Sequence, residues 1–219
     1  MRPSVPAARR AVACATLACA VAAAACLHAT PAQADTPASG ATTEPRGPSV
    51  PAALGDEARV SGEGRFTFLG LKVYDARLWI GRGFDPRRLT DGPFALELTY
   101  LRRFEGRAIA ERSLAEIEKL GIGSATQRAA WLAELQRLLP DVASGDRLTG
   151  VWRPGQGTTF LRNDRPVGRV DDPSFAHAFF SIWLDPRTPA PALRRALLAG
   201  APGADASDGG GDGSPRAAR

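Results

Sequence analysis

A chain of 219 residues, 44% hydrophobic and 23% charged, is long enough for one ordinary domain with extensions. Its formal net charge is +5, but Arg2, Arg9 and Arg10 account for much of that excess and no basic face clusters elsewhere, which argues against nucleic acid as a partner. All three cysteines (Cys14, Cys19, Cys26) lie near the N-terminus, so the remainder has no disulfide and no thiolate metal site and must rest on its core alone.

The first 34 residues read as a secretory signal. A positive start is followed by an apolar run over residues 11–27 and a small-residue cleavage site at Ala32-Gln-Ala34. The product is therefore expected outside the cytoplasm, periplasmic or secreted. The apolar run is mostly alanine and makes a poor permanent span, so no stable membrane span is expected after its removal. Lipoprotein processing at Cys26 is the alternative. Residues 35–54, rich in Pro, Ala, Thr and Gly, read as a disordered linker, and residues 200–219 as a disordered tail. One domain, residues 55–199, lies between them.

The domain opens on an apolar stretch from Gly64 to Ile80 that predicts one or two strands, broken or bulged near Gly70. Phe94, Leu96, Leu98 and Tyr100 alternate with Ala95, Glu97 and Thr99, which predicts a half-buried strand. Residues 107–120 predict a helix with Ala110, Leu114 and Ile117 inward. Ser124-Ala-Thr-Gln127 has the spacing of a capping box and starts a second helix, which Pro140 stops. Strands follow over residues 147–152, 158–162 and 167–170. Asp172-Pro173 starts a helix carrying Phe175, Phe179, Ile182 and Trp183, and a last helix starts near Thr188. This order predicts an α+β domain: an antiparallel sheet with helices layered on one face.

Enzyme signatures are sparse. Beyond the leader the chain has one histidine, His177, no Gly-rich phosphate loop and no nucleophile elbow, so neither a metal nor a cofactor is implied. His177 reads as a helix-surface residue, and Glu111, Glu116 and Glu118 as a solvated helix face. Phe175, Phe179, Phe180 and Trp183 read as core that can also wall a pocket. In the opening stretch, Arg65 and Tyr74 stand out. A cation and a phenol on neighbouring strand segments could hold an anionic group between them. By position alone Arg65 is an exposed strand arginine. Tyr74 shares its parity with Ala76, Leu78 and Ile80 and is a core-edge aromatic.

The domain resembles the chalcone isomerase-like superfamily, in its bacterial exported branch. The resemblance rests on Gly62-Glu-Gly-Arg65, Leu71-Lys-Val-Tyr-Asp-Ala-Arg-Leu-Trp79, Phe94-Ala-Leu-Glu-Leu-Thr-Tyr100, Leu139-Pro-Asp-Val142, Gly145-Asp-Arg-Leu148 and Phe179-Phe-Ser-Ile-Trp-Leu184, in order across the domain. It implies an open-faced β-sandwich with a ligand cleft between a large antiparallel sheet and its helices. In chalcone isomerases a strand Arg polarises the substrate, assisted by a Thr, a Tyr and an Asn. Fatty-acid-binding relatives keep the Arg and carry a Tyr in place of the Thr. By this resemblance Arg65 matches the Arg and Tyr74 stands at the Thr position, which is the binding version. Ile109 falls where the catalytic Tyr would be and Glu116 where the Asn would be. Three of the four polar helpers differ, which argues against flavanone-forming chemistry. The resemblance leads to an exported, non-catalytic binder of a small amphipathic carboxylate such as a fatty acid, held by Arg65 and Tyr74. The alternatives are an isomerase or lyase acting on a chalcone-like or other enone or phenolic substrate, and a protein-interaction module of the cell envelope.

Overall fold

The computed structural model describes residues 50–203; the leader, most of the expected linker and most of the expected tail lie outside them. Six strands, β1 (Arg59–Phe68), β2 (Leu71–Ile80), β3 (Phe94–Tyr100), β4 (Arg147–Arg153), β5 (Gly157–Arg162) and β6 (Arg165–Val170), form one sheet. Each pairs antiparallel with the next in chain order, so the sheet is a plain meander. Between β3 and β4 the chain leaves the sheet to form α2 (Gly106–Lys119) and α3 (Ala125–Leu138). It closes with α4 (Pro173–Leu184) and α5 (Pro191–Leu198). This is the expected α+β architecture.

Local signals account for the helix starts. Ser124 and Gln127 exchange the two bonds of the capping box, Gln127 N–H to Ser124 Oγ at 3.2 Å and Ser124 N–H to Gln127 Oε1 at 2.9 Å. Asp172 caps α4 by accepting from Ser174 N–H, with Pro173 in the first turn. The last helix starts at Pro191, after an extended turn in which Thr188 Oγ1 donates to Ile182 O.

The main core lies between the sheet and α2–α5. Alternate strand residues (Ala76, Leu78 and Ile80 on β2; Leu96 and Leu98 on β3; Phe160 on β5) pack there against Ile117, Leu135, Phe175, Phe180 and Leu197. Close approach of α5 to β1 depends on glycine: a Cβ on Gly62 would sit 1.9 Å from Ala196 O.

Three expectations need correction. Residues 50–54 are not linker: they form a short helix, α1 (Val50–Leu54), whose Val50 and Leu54 pack with Ala95, Val151 and Leu161 on the other face of the sheet. For the same reason β3 is not half-buried. Ala95 is fully buried and Glu97 nearly so, because α1 and the neighbouring strands cover its second face. At the other end, Ala201 is buried, and Gly200 N–H bonds to Ser61 O, so the domain extends slightly past Ala199. Among the described residues, no helix is long and apolar enough to cross a membrane.

Candidate functional site

A cavity of about 300 Å³ opens between the β1–β3 end of the sheet and helix α2. Its walls are apolar: Phe66, Leu96, Leu98 and Leu148 from the strands, Ile109 from α2, Phe179 and Ile182 from α4. Of the aromatic set on α4, Phe179 and Trp183 wall this space, whereas Phe175 and Phe180 are wholly core.

Its polar groups come mainly from β2 and α2, with Tyr100 of β3 and Thr149 of β4 also in the lining. On β2, Tyr74 stacks on Phe66 at 5.1 Å between ring centroids and meets Tyr100 edge-on at 5.9 Å. Trp183 Nε1–H donates to its hydroxyl oxygen at 2.9 Å, which leaves the phenolic proton available to an acceptor in the cavity. Burial pushes the Tyr74 phenol up to about 12, and the Trp183 bond only partly offsets this. At neutral pH it is a donor and not a base.

On α2, Ile109, Arg112, Ser113 and Glu116 recur at helical spacing and form one stripe facing the cavity. Arg112 Nη2 lies 2.6 Å from Glu116 Oε1, and Lys119 Nζ reaches the same oxygen at 3.0 Å. Two cations thus share one carboxylate, leaving a net positive charge at the rim. Arg112 also lies over Phe68, with its guanidinium carbon 5.8 Å from the ring centroid. Glu116 itself is 4% exposed, so it does not belong to a solvated helix face as expected, and its Oε2 is buried without a partner.

Arg65 and Tyr74, the expected clamp, are not brought together. Arg65 pairs across the strands with Asp75, and Phe66 pairs with Tyr74. Neighbouring residues on a strand point to opposite faces, so Arg65 lies on the face away from the cavity. There its guanidinium makes a two-pronged bond to Asp75, Nε to Oδ1 at 2.6 Å and Nη2 to Oδ2 at 2.9 Å. The arginine fork holds the Asp75 carboxyl below the usual carboxylate range. Glu63, Arg77, Glu97 and Thr99 complete a shallow, open, charged depression around this pair. The cation at the apolar cavity is Arg112, which sequence reasoning missed. Its signal was the polar stripe of α2, hidden among many charged residues. His177 is exposed on α4, away from the cavity lining.

The chalcone isomerase-like family profile matches residues 58–199, nearly the whole of the described domain. No curated protein matches the chain. Among solved structures, a fatty-acid binding protein of Arabidopsis thaliana superposes with a TM-score of 0.53 at 14% sequence identity, over 70% of this chain and 93% of that one. At that identity the likeness is one of fold.

Proposed function

The chain belongs to the chalcone isomerase-like family, and we propose that it binds a small amphipathic carboxylate, such as a fatty acid, in the cavity under α2 without transforming it. One observation carries the reading: an apolar cavity with Arg112 at its rim, within a net positive cluster and beside a phenol that has a proton to give. The carboxylate would take donors that Arg112 does not spend on Glu116, together with the Tyr74 hydroxyl. The tail would fill the apolar part, where burial contributes about 0.8 kcal/mol per CH₂ before the costs of association. The name of the Arabidopsis relative makes a fatty acid the first ligand to try. The proposal includes export, on the strength of the leader-like first 34 residues.

Catalysis on an enone has less support. With Tyr74 pushed up to about 12, proton relay at neutral pH is poor. Ile109 offers no hydrogen bond, and Glu116 places negative charge where a phenolate would need stabilising.

The test is mass spectrometry of lipid extracted from the purified protein, with titration of a fluorescent fatty acid into wild type, Arg112→Ala and Ile109→Trp. Bound acid in wild type, reduced in both variants, is the expected result. No lipid and no titration signal in wild type would sink the reading, and rapid conversion of a chalcone would replace it.

A further inference from the structure

We infer that the tip of the β1–β2 hairpin is a docking surface for an anionic lipid bilayer, and that it sets the mouth of the cavity against that bilayer. The inference stands on the hairpin and its charged surroundings, not on what occupies the cavity.

Four large apolar residues are exposed among the described residues, and three of them, Phe68, Leu69 and Leu71, cluster at this turn. Leu69 is 85% exposed. It also has φ of 49°, in the left-handed region, followed by Gly70 at 77°. Glycine suits that conformation. For the first position of such a turn Asn, Asp or Gly is favoured, and a leucine is strained. A side chain that is both strained and solvated adds nothing to the fold, and an outlier of this kind points to a task outside it.

The neighbours of the tip are basic. Lys72 is exposed next to Leu71. Arg102 and Arg103, also exposed, directly follow Leu101, whose N–H bonds to Val73 O at 2.9 Å close to the turn of the hairpin. Arg112 lies over Phe68 from the helix side. Among the described residues, Lys72, Arg102 and Arg103 form no salt bridge. The nearby acids are mostly committed: Asp75 to Arg65 and Glu111 to Arg107, while Glu116 is buried; Glu105 alone is exposed beside Arg103. An apolar tip ringed by cations suits the interface of an anionic membrane, where apolar side chains enter and the cations meet head groups. A second copy suits it poorly. The tip is too small for a stable protein interface, and two such tips would repel.

The position gives the contact a purpose. Phe68 and Arg112 are at once part of the tip region and of the cavity lining, so a bilayer held by Leu69 and Leu71 faces the opening directly. An amphiphile could pass between bilayer and cavity without crossing open water.

The experiment is co-sedimentation of the full chain with vesicles of phosphatidylcholine alone or with phosphatidylglycerol added, for wild type, Leu69→Asn and Leu71→Ser. Asparagine tolerates the left-handed backbone, so Leu69→Asn should fold at least as well as wild type, checked by thermal melting. We expect wild type to bind the anionic vesicles at least about tenfold more tightly than the neutral ones, and each variant to lose about threefold or more. Failure of wild type to sediment with anionic vesicles, or binding unchanged in both variants, overturns the inference. So does a wild-type dimer in the absence of lipid that Leu69→Asn abolishes. Neither result depends on whether a fatty acid binds in the cavity.

Discussion

The two faces of the β1–β3 region both carry polar groups and use them differently. On the open face, Arg65 pairs with Asp75 and Arg77 with Glu63 and Glu97 across neighbouring strands, which leaves one carboxylate in excess. Their depression is shallow and wet, and every cation has its anion at hand. On the helix face, two phenols and one arginine line an apolar cavity, and a buried carboxylate oxygen has no partner. The contrast shows why counting charges misplaces a site. A ligand anion gains little where charges are already matched and solvated, and more where few donors face a space that excludes water.

If the helix face is the functional one, its geometry should also be the less forgiving. The largest expected effect is that of Gly62→Val. A side chain there meets Ala196 O, within the backbone of α5, at 1.9 Å. We expect destabilisation of about 3 kcal/mol or more in chemical denaturation. Next is pH. Tyr74 is held un-ionised up to about 12, above the 10.0 of a free phenol. Its contribution is whole below pH 10 and is lost as pH rises through about 12, because the unfolded chain ionises first. The loss should be on the order of 3 kcal/mol, and Tyr74→Phe should make that part of the stability profile less steep, with Tyr100, also raised by burial, keeping the rest of the slope. A profile identical in the two proteins would mean that the phenol is solvated.

These two faces were partly legible in the sequence. Parity placed Tyr74 with Ala76, Leu78 and Ile80, and all three are buried as that parity requires. The sheet, the helix order and the capping box at Ser124 followed from periodicity and local chemistry. The position of Arg65 did not. A two-residue turn at Leu69-Gly70, carried down the hairpin without interruption, would set Arg65 opposite Tyr74. The register instead jumps between Phe66 and Thr67, where Tyr74 and Lys72 are the partners and Val73 is the extra residue of a bulge. One inserted residue moves Arg65 to the other face, and Val73 joins Tyr74 in the cavity wall. Gly70 marks the break between the strands, but nothing in the local composition marks the extra residue at Val73. The burial of Glu116 was illegible for a related reason. It depends on two cations of its own helix folding over it, and charge patterning on a helix looks the same whether the face is wet or covered.

The comparison is tested most directly by the two arginines. Arg112→Ala should weaken fatty-acid binding by about tenfold or more, since it removes a charge-assisted donor and leaves Glu116 to repel the carboxylate. Arg65→Ala should leave binding unchanged within experimental error. Its fork to Asp75 is half-exposed, so its loss should also move the thermal midpoint little. Equal losses in the two variants would mean that both faces contribute to binding, and a loss confined to Arg65→Ala would reverse the assignment.

The smallest effect concerns the unpartnered Oε2 of Glu116. A buried carboxylate oxygen without a donor is costly, and a ligand that supplies one recovers part of that cost. A plain fatty acid brings only acceptors to the rim once it is ionised. An acid with a hydroxyl on a carbon close to the carboxylate could give Arg112 and Tyr74 their acceptor and Glu116 its donor together. Such an acid should bind about fivefold more tightly than the unsubstituted acid of equal length, in keeping with one added hydrogen bond of ordinary net strength, about 1 kcal/mol. Calorimetric titration of the two acids measures the ratio. Glu116→Gln, which keeps the shape but can turn an amide donor toward the cavity, should reduce that preference. If the hydroxyl makes no difference in wild type, Glu116 Oε2 is already satisfied by water, and the helix face is no drier there than the open one.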